Sequence, residues 1–143
     1  MGFIIALVSG VLMSVQGVFN TQVTKETSMW VSNSWVQLSA FVVCICAWFI
    51  TDKKSFTGLL NVSPKYMLLG GIIGAFITYT VIKSMDIMGP AQAVMVIVIS
   101  QILSAYAIEL FGMFGVDKAG FEWRKAIGAA VAIAGIVIFR WES

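Results

Sequence analysis

One carboxylate, Glu109, lies inside a long apolar stretch of the sequence. The stretch 91–116 carries few other clearly polar side chains, namely Gln92, Ser100, Gln101 and Ser104. It is long enough to cross a bilayer as a helix. A carboxylate at mid-membrane costs about 2.5–3.5 kcal/mol on insertion scales, so such a group usually faces a cavity or a partner. The sequence therefore predicts that Glu109 binds a proton or a cationic cargo.

A second interpretation places Glu109 near the end of its helix, within reach of lipid headgroups. Counted from the middle of the stretch near Leu103, Glu109 is displaced by about 9 Å, which is still inside a hydrocarbon half-thickness of about 15 Å. The chain contains no histidine, so any proton coupling must fall to a carboxylate. Removal from bulk water disfavours a charged carboxylate, which would let Glu109 exchange a proton for a cation.

Amide side chains in the other apolar stretches extend the candidate site. Gln16 and Asn20 are four residues apart, as are Asn33 and Gln37, so each pair shares one face of a helix. Unsatisfied amides in hydrocarbon cost several kcal/mol, so they must face each other, water or a ligand. Singly, each is explained by a hydrogen bond that holds helices together. As a set they predict a polar cavity. Its predicted lining is Glu109, Gln101, Gln16, Asn20, Tyr79 and Gln37.

Composition places these residues in a membrane. The chain is 59% hydrophobic and 11% charged, with a mean hydropathy of +0.95, whereas a soluble domain carries roughly twice that charge. The apolar blocks predict an all-α membrane protein, with five transmembrane helices in a single domain over residues 1–143. The spans are predicted at about 3–23, 30–50, 66–85, 91–114 and 123–139. Pro90 stands at a favourable first-turn position of the fourth.

Other function classes find little support in the sequence. A net charge of +2 is too small to argue for nucleic acid. No metal-ligand cluster, nucleophile elbow or phosphate loop is present, so neither an enzyme nor a cofactor or metal is predicted. Cys44 and Cys46 are two apart and point to different sides of a helix, so packing is their expected role.

Charges and aromatic residues predict the orientation. Five spans place the termini on opposite sides, with six basic residues on the N-terminal side and three on the other. The positive-inside rule then gives a cytoplasmic N-terminus, although so modest a bias leaves dual insertion open. Aromatic residues at the span ends match an interfacial belt. These residues are Trp30, Trp48, Tyr66, Trp123 and Trp141.

Small residues recur at helical spacing in three of the spans. Such stripes allow membrane helices to approach closely. They comprise Gly10, Ser14, Gly17 and Thr21 in the first span, Gly70 and Gly74 in the third, and Gly128, Ala132 and Gly135 in the fifth.

Several motifs follow one another in a specific order along the chain. They are Gly10-x5-Gln16-Gly17-x2-Asn20, the runs 70–76, 88–93 and 108–115, the pair Ser100-Gln101, and Lys125-Ala126-Ile127-Gly128 with Gly135. In order and spacing they resemble the YdcZ-like inner-membrane exporters, the short five-helix branch of the drug/metabolite transporter superfamily.

The resemblance implies a bacterial inner-membrane protein equal to half of a ten-helix transporter. The family pattern carries a glutamine and an asparagine at Gln16 and Asn20, and a glutamine and an acidic residue at Gln101 and Glu109. That acidic residue is more often Asp, so Glu109 departs from the pattern by one methylene. The second helix matches poorly, so the resemblance does not extend to Gln37. It names no substrate.

The odd number of spans suits an assembly of two subunits. Tandem duplication of an odd-span unit gives inverted repeats, the architecture of many alternating-access carriers. No internal repeat is visible, so the second unit would be an antiparallel copy of this chain or a paralogous five-helix partner. The leading interpretation is a proton-coupled secondary transporter that exports a small molecule by alternating access. The alternatives are a channel-like facilitator and a non-transporting subunit of a larger membrane assembly.

Overall fold

The computed structural model describes residues 1–51 and 53–140, and it consists of helices joined by short connections. The α-helices are α1 (Gly2–Glu26), α2 (Met29–Ile50), α3 (Gly70–Met88), α4 (Pro90–Phe111) and α5 (Trp123–Arg140). Three short 3-10 segments lie in the connections, at Phe56–Asn61, Lys65–Leu69 and Met113–Gly115. The predicted all-α class is thereby confirmed. Trp141 of the predicted aromatic belt lies outside the described residues.

Within residues 1–51 and 53–140, four helical segments are long and apolar enough to cross a membrane. They are Gly2–Glu26, Met29–Ile50, Lys65–Met88 and Pro90–Phe111. Helix α5 is not among them, because Arg124 and Lys125 stand near its start and Arg140 at its end. The apolar stretch 126–139 between these charges would be only about 21 Å long as a helix, against a hydrocarbon core of about 30 Å. Of the five predicted spans, four are confirmed as membrane-capable helices.

Glycine conformations set both ends of α4. Gly89 has φ +80° and precedes Pro90, which opens the helix as predicted. Gly112 closes it in the left-handed region, with φ +64° and ψ +42°, a conformation that glycine adopts without a Cβ penalty. Helix α4 therefore ends at Phe111, three residues before the predicted limit of 114.

The segment Met1–Ile87 forms one compact unit. The interior of this unit contains both polar and apolar side chains. The buried polar residues include Asn20, Thr21, Ser32 and Asn33, and the buried apolar residues include Ile82 and Met85. Gly17 of α1 lies so close to α3 that a Cβ added there would stand 2.5 Å from Met85 Cε. The close packing predicted for small residues thus occurs at Gly17, while an added Cβ at the other glycines of the three stripes would meet nothing within 4 Å.

The second compact unit begins at Met88 and contains α4 and α5. The connection between these helices folds back on α4, because the Ala119 N–H donates to the Glu109 carbonyl at 2.8 Å. That carbonyl also accepts from the Gly112 N–H at 3.4 Å. This fold-back brings the last turn of α4 next to the first turn of α5.

Candidate functional site

An ion-pair cluster joins the end of α4 to the start of α5. Lys125 Nζ lies 3.1 Å from Glu109 Oε2 and 3.5 Å from Glu122 Oε1. The side chains of Lys125 and Glu109 are 41% and 45% exposed, so the pair lies at a surface of the unit. We call Glu109, Glu122, Lys125 and Tyr106 the Glu109 cluster. It is a charge network made possible by the tight α4–α5 connection.

Tyr106 provides the aromatic side of the cluster. It stands three residues before Glu109 on α4, and its ring centroid is 5.8 Å from Lys125 Nζ, within the range of a cation–π contact. Its hydroxyl accepts a hydrogen bond of 3.0 Å from the Glu122 N–H. Phe121 and Trp123 continue the aromatic surface, with ring centroids 5.4 Å apart. The first turn of α5 is therefore attached to α4 through both charge and an aromatic hydroxyl.

An open groove of about 400 Å³ runs between α4 and α5 beside this cluster. Glu109, Lys125 and Tyr106 line it together with the small residues Ala105, Gly128 and Ala129. Gly128 belongs to the predicted small-residue stripe of the fifth span. Here its missing side chain leaves space in the groove, since an added Cβ would touch nothing within 4 Å. The groove thus offers a carboxylate beside a mostly apolar wall.

The observed bounds of α4 change the depth expected for its polar residues. The middle of Pro90–Phe111 falls between Ser100 and Gln101, so Glu109 is about 13 Å from the middle at 1.5 Å per residue. That is inside a half-thickness of about 15 Å but near its edge. Ser100 and Gln101 are the polar side chains at the centre of the helix, and the Ser100 hydroxyl donates to the Val96 carbonyl at 2.9 Å.

A hydrogen-bond network connects α2 to α3 in the first unit. Asn33, only 3% exposed, donates from Nδ2 to the Ala75 carbonyl at 2.9 Å. Gln37 Nε2 donates to Thr78 Oγ1 at 3.2 Å and to Asn33 Oδ1 at 3.4 Å. Gln37, which is predicted to line a cavity, therefore also links α2 to α3 through a hydrogen bond. The i, i+4 spacing of Asn33 and Gln37 was the sequence signal for this network.

Tyr79 lies in the same α2–α3 region. Its ring stacks on Trp30, with centroids 5.4 Å apart and planes inclined by 22°. The side chain is half-buried. This stacked pair gives α3 an aromatic contact with the first turn of α2.

The remaining predicted residues differ in burial. Asn20 is 9% exposed, and its backbone carbonyl accepts from Ser32 Oγ at 3.0 Å and Thr24 Oγ1 at 2.8 Å. Gln16 and Gln101 are exposed. Among the described residues, no hydrogen-bond partner is found for the side-chain amides of Gln16 and Gln101. These two amides need a partner in a hydrocarbon environment.

Sequence reasoning identified Glu109 and missed its three neighbours. Lys125 entered the sequence analysis as one of the basic residues that set orientation and as part of the motif at 125–128, and not as a partner of Glu109. The available signal was a pair of opposite charges, Glu109 and Lys125, placed at the facing ends of two helices across a short connection that contains Gly112.

A comparison with known protein families identifies the family of this chain. The family model described as "Putative inner membrane exporter, YdcZ" matches residues 1–138. The match includes every predicted site residue and the whole Glu109 cluster. No curated protein matched the chain, and no solved structure did.

Proposed function

Because the chain belongs to the YdcZ family of inner-membrane exporters, we propose that it is a secondary transporter that carries a small cationic molecule across the inner membrane. The family is one of transporters rather than enzymes. The four apolar helices and the family together make this a multi-pass inner-membrane protein. Proton coupling, alternating access and dimeric assembly are the further parts of the proposal.

We propose that α5 is the fifth span of a single transmembrane domain. The Arg124 and Lys125 side chains near its start can extend toward the interface along their apolar stems. A hydrophobic stretch shorter than the bilayer core is accommodated by local thinning or by association with a partner. Five spans give termini on opposite sides, and the basic residues favour a cytoplasmic N-terminus.

The observation that carries the proposal is the carboxylate of Glu109 on the wall of the α4–α5 groove. The groove is large enough to admit a small organic ion, and its remaining wall is mostly apolar. A carboxylate in such a setting attracts a cation or a proton, and the two compete for the same oxygens. Binding one at a time is the basis of exchange between proton and cargo.

The exposed amides support a dimer. Gln101 lies at the middle of α4, the point of the helix farthest from the two membrane surfaces, and Gln16 lies on an exposed part of α1. An unpaired amide there is costly, so we propose that a second subunit or the cargo supplies the missing partners. Half of a ten-helix transporter, paired with an inverted copy, gives the symmetric architecture of alternating access.

A flux measurement in liposomes tests the role of Glu109. The purified chain is reconstituted with a proton gradient, and proton movement is followed while organic cations are added. Glu109→Gln keeps the shape and removes the charge, so it is expected to abolish proton-coupled flux, while Glu109→Asp retains part of it with a shifted pH profile. Asp117→Asn, in the α4–α5 connection, is the control for loss of a carboxylate.

Two outcomes would contradict the proposal. Wild-type, pH-dependent flux in Glu109→Gln would remove the carboxylate from the coupling step. Cation movement down its own gradient without any coupled proton movement would indicate a channel-like facilitator in place of a carrier.

A further inference from the structure

Within the Glu109 cluster, the two carboxylates and the Tyr106 ring already have a cation beside them, namely the Lys125 ammonium. Its Nζ is 3.1 Å from the Glu109 carboxylate, 3.5 Å from the Glu122 carboxylate and 5.8 Å from the centroid of the Tyr106 ring. Carboxylate oxygens and an aromatic face are the groups with which proteins bind organic ammonium ions. The ligand in this case is part of the chain.

We infer that Lys125 is a tethered competitor of the cargo, so that an organic ammonium ion binds Glu109 only when the Lys125 ammonium moves away. The inference rests on the proposed function in taking the competing ion to be the cargo. It assigns a specificity role to Lys125 and an ammonium class to the ligand. The mostly apolar groove beside the cluster favours an ammonium that carries an apolar group.

Glu122 gives the displaced ammonium a second partner. Lys125 Nζ lies between the two carboxylates, and its flexible four-carbon stem allows the head to move fully toward Glu122. The Glu122 side chain is 56% exposed, so its carboxylate is open to such a contact. Glu109 would then be free to face the groove.

The charge balance favours one additional monovalent cation. Two carboxylates and one ammonium leave the cluster with a single negative charge. A bound organic ammonium ion neutralises it, provided that Lys125 remains with Glu122. Competition from the same chain also weakens cargo binding, which assists release.

Cation binding to the full chain in lipid nanodiscs tests the inference. The probe is benzyltrimethylammonium, measured by titration calorimetry, and benzyl alcohol is the neutral comparison. Lys125→Gln removes the competitor and is expected to bind the probe about tenfold more tightly, which corresponds to about 1.4 kcal/mol. The matched control is Lys118→Gln. Lys118 lies in the α4–α5 connection and forms no ion pair with any described residue. This variant should therefore bind the probe within about twofold of wild type, a shift well below the tenfold expected for Lys125→Gln. Unchanged or weaker probe binding in Lys125→Gln would overturn the inference.

Amine reactivity tests it on the unaltered protein. If the probe displaces Lys125, acetylation of that side chain should rise severalfold in its presence, while acetylation of Lys118 stays constant. Mass spectrometry of the two sites in one sample gives the ratio. A constant or reduced Lys125 signal at saturating probe would overturn displacement.

The binding and flux results separate the two proposals. Tighter binding in Lys125→Gln without any coupled flux in the wild type would leave the competition standing and reject transport. Glu109-dependent flux together with unimproved binding in Lys125→Gln would leave transport standing and reject the competition.

Discussion

Gly17→Ala should disturb the contact between α1 and α3. The new Cβ would lie 2.5 Å from Met85 Cε and 2.7 Å from Met85 Sδ, with Val81 Cγ1 at 3.4 Å on another side. Carbon contacts are comfortable near 3.5–4.0 Å, so the end of the Met85 side chain must move by about 1 Å. Met85 is 3% exposed and has little free space, although its flexibility lowers the penalty.

The expected magnitude follows from two opposing effects. Overpacking costs about 1–3 kcal/mol, while alanine in place of glycine inside a helix contributes about 0.5–1 kcal/mol. Gly17→Ala should therefore lower the free energy of unfolding by about 0–2.5 kcal/mol. Gly10→Ala on the same helix meets no atom within 4 Å and should raise it. Comparing the two variants removes the helix-propensity contribution and leaves a gap of about 1–3 kcal/mol.

Reversible unfolding in mixed detergent micelles measures this gap. A double-mutant cycle with Met85→Ala adds a second test, because shortening Met85 removes the atoms that clash. The double variant should then lose less stability than the sum of the single variants. Equal stability of Gly17→Ala and Gly10→Ala, or strict additivity in the cycle, would refute a close α1–α3 contact at Gly17.

Two further predictions concern the polar face of α1 and the assembly. Gln16→Leu and Asn20→Leu should each lower coupled flux with nearly unchanged folded yield. Full flux with a lower melting temperature would assign them to helix packing instead, worth about 0.6 kcal/mol on average. Cysteines introduced at Met1 and Ser143, in a chain without its two native cysteines, should be labelled from both membrane faces if subunits insert in both orientations. One-sided labelling of each terminus in functional protein would exclude a dual-topology homodimer.

The helices were predictable because bilayer thickness dictates the length of apolar segments. The predicted span 30–50 differs by one residue from the observed Met29–Ile50. The end of the fourth span was placed too late, because apolar residues continue past Gly112 while the backbone there turns left-handed. The 3-10 segment Lys65–Leu69 at the start of the third span leaves hydropathy unchanged, so composition could not reveal it.

The sequence marks residues of the candidate site only where a residue is costly by itself. Glu109 is conspicuous as a carboxylate in an apolar stretch, and Gln101 as an amide. The pairing of Glu109 with Lys125 depends on the fold-back of the α4–α5 connection, in which the Ala119 N–H reaches the Glu109 carbonyl. The sequence places the two charges at the ends of successive helices, but it does not show that the connection folds back and brings them into contact. Only one side of the α2–α3 network could be predicted from the sequence. Asn33 and Gln37 share a helix face, but nothing in the sequence marks their partners on α3, the Ala75 carbonyl and Thr78.

The short connection between α1 and α2 bears on how the chain enters the membrane. Thr27 and Ser28 are the residues between the two helices, and Ser28 caps α2 by accepting from the Val31 N–H at 3.3 Å. Ser32 Oγ then donates to the Asn20 carbonyl across the pair. Two segments so connected can leave the translocon together as a helical hairpin. Ser32 would then be spared solitary contact with lipid during biogenesis, and its bond to α1 would form before the remaining helices are synthesised.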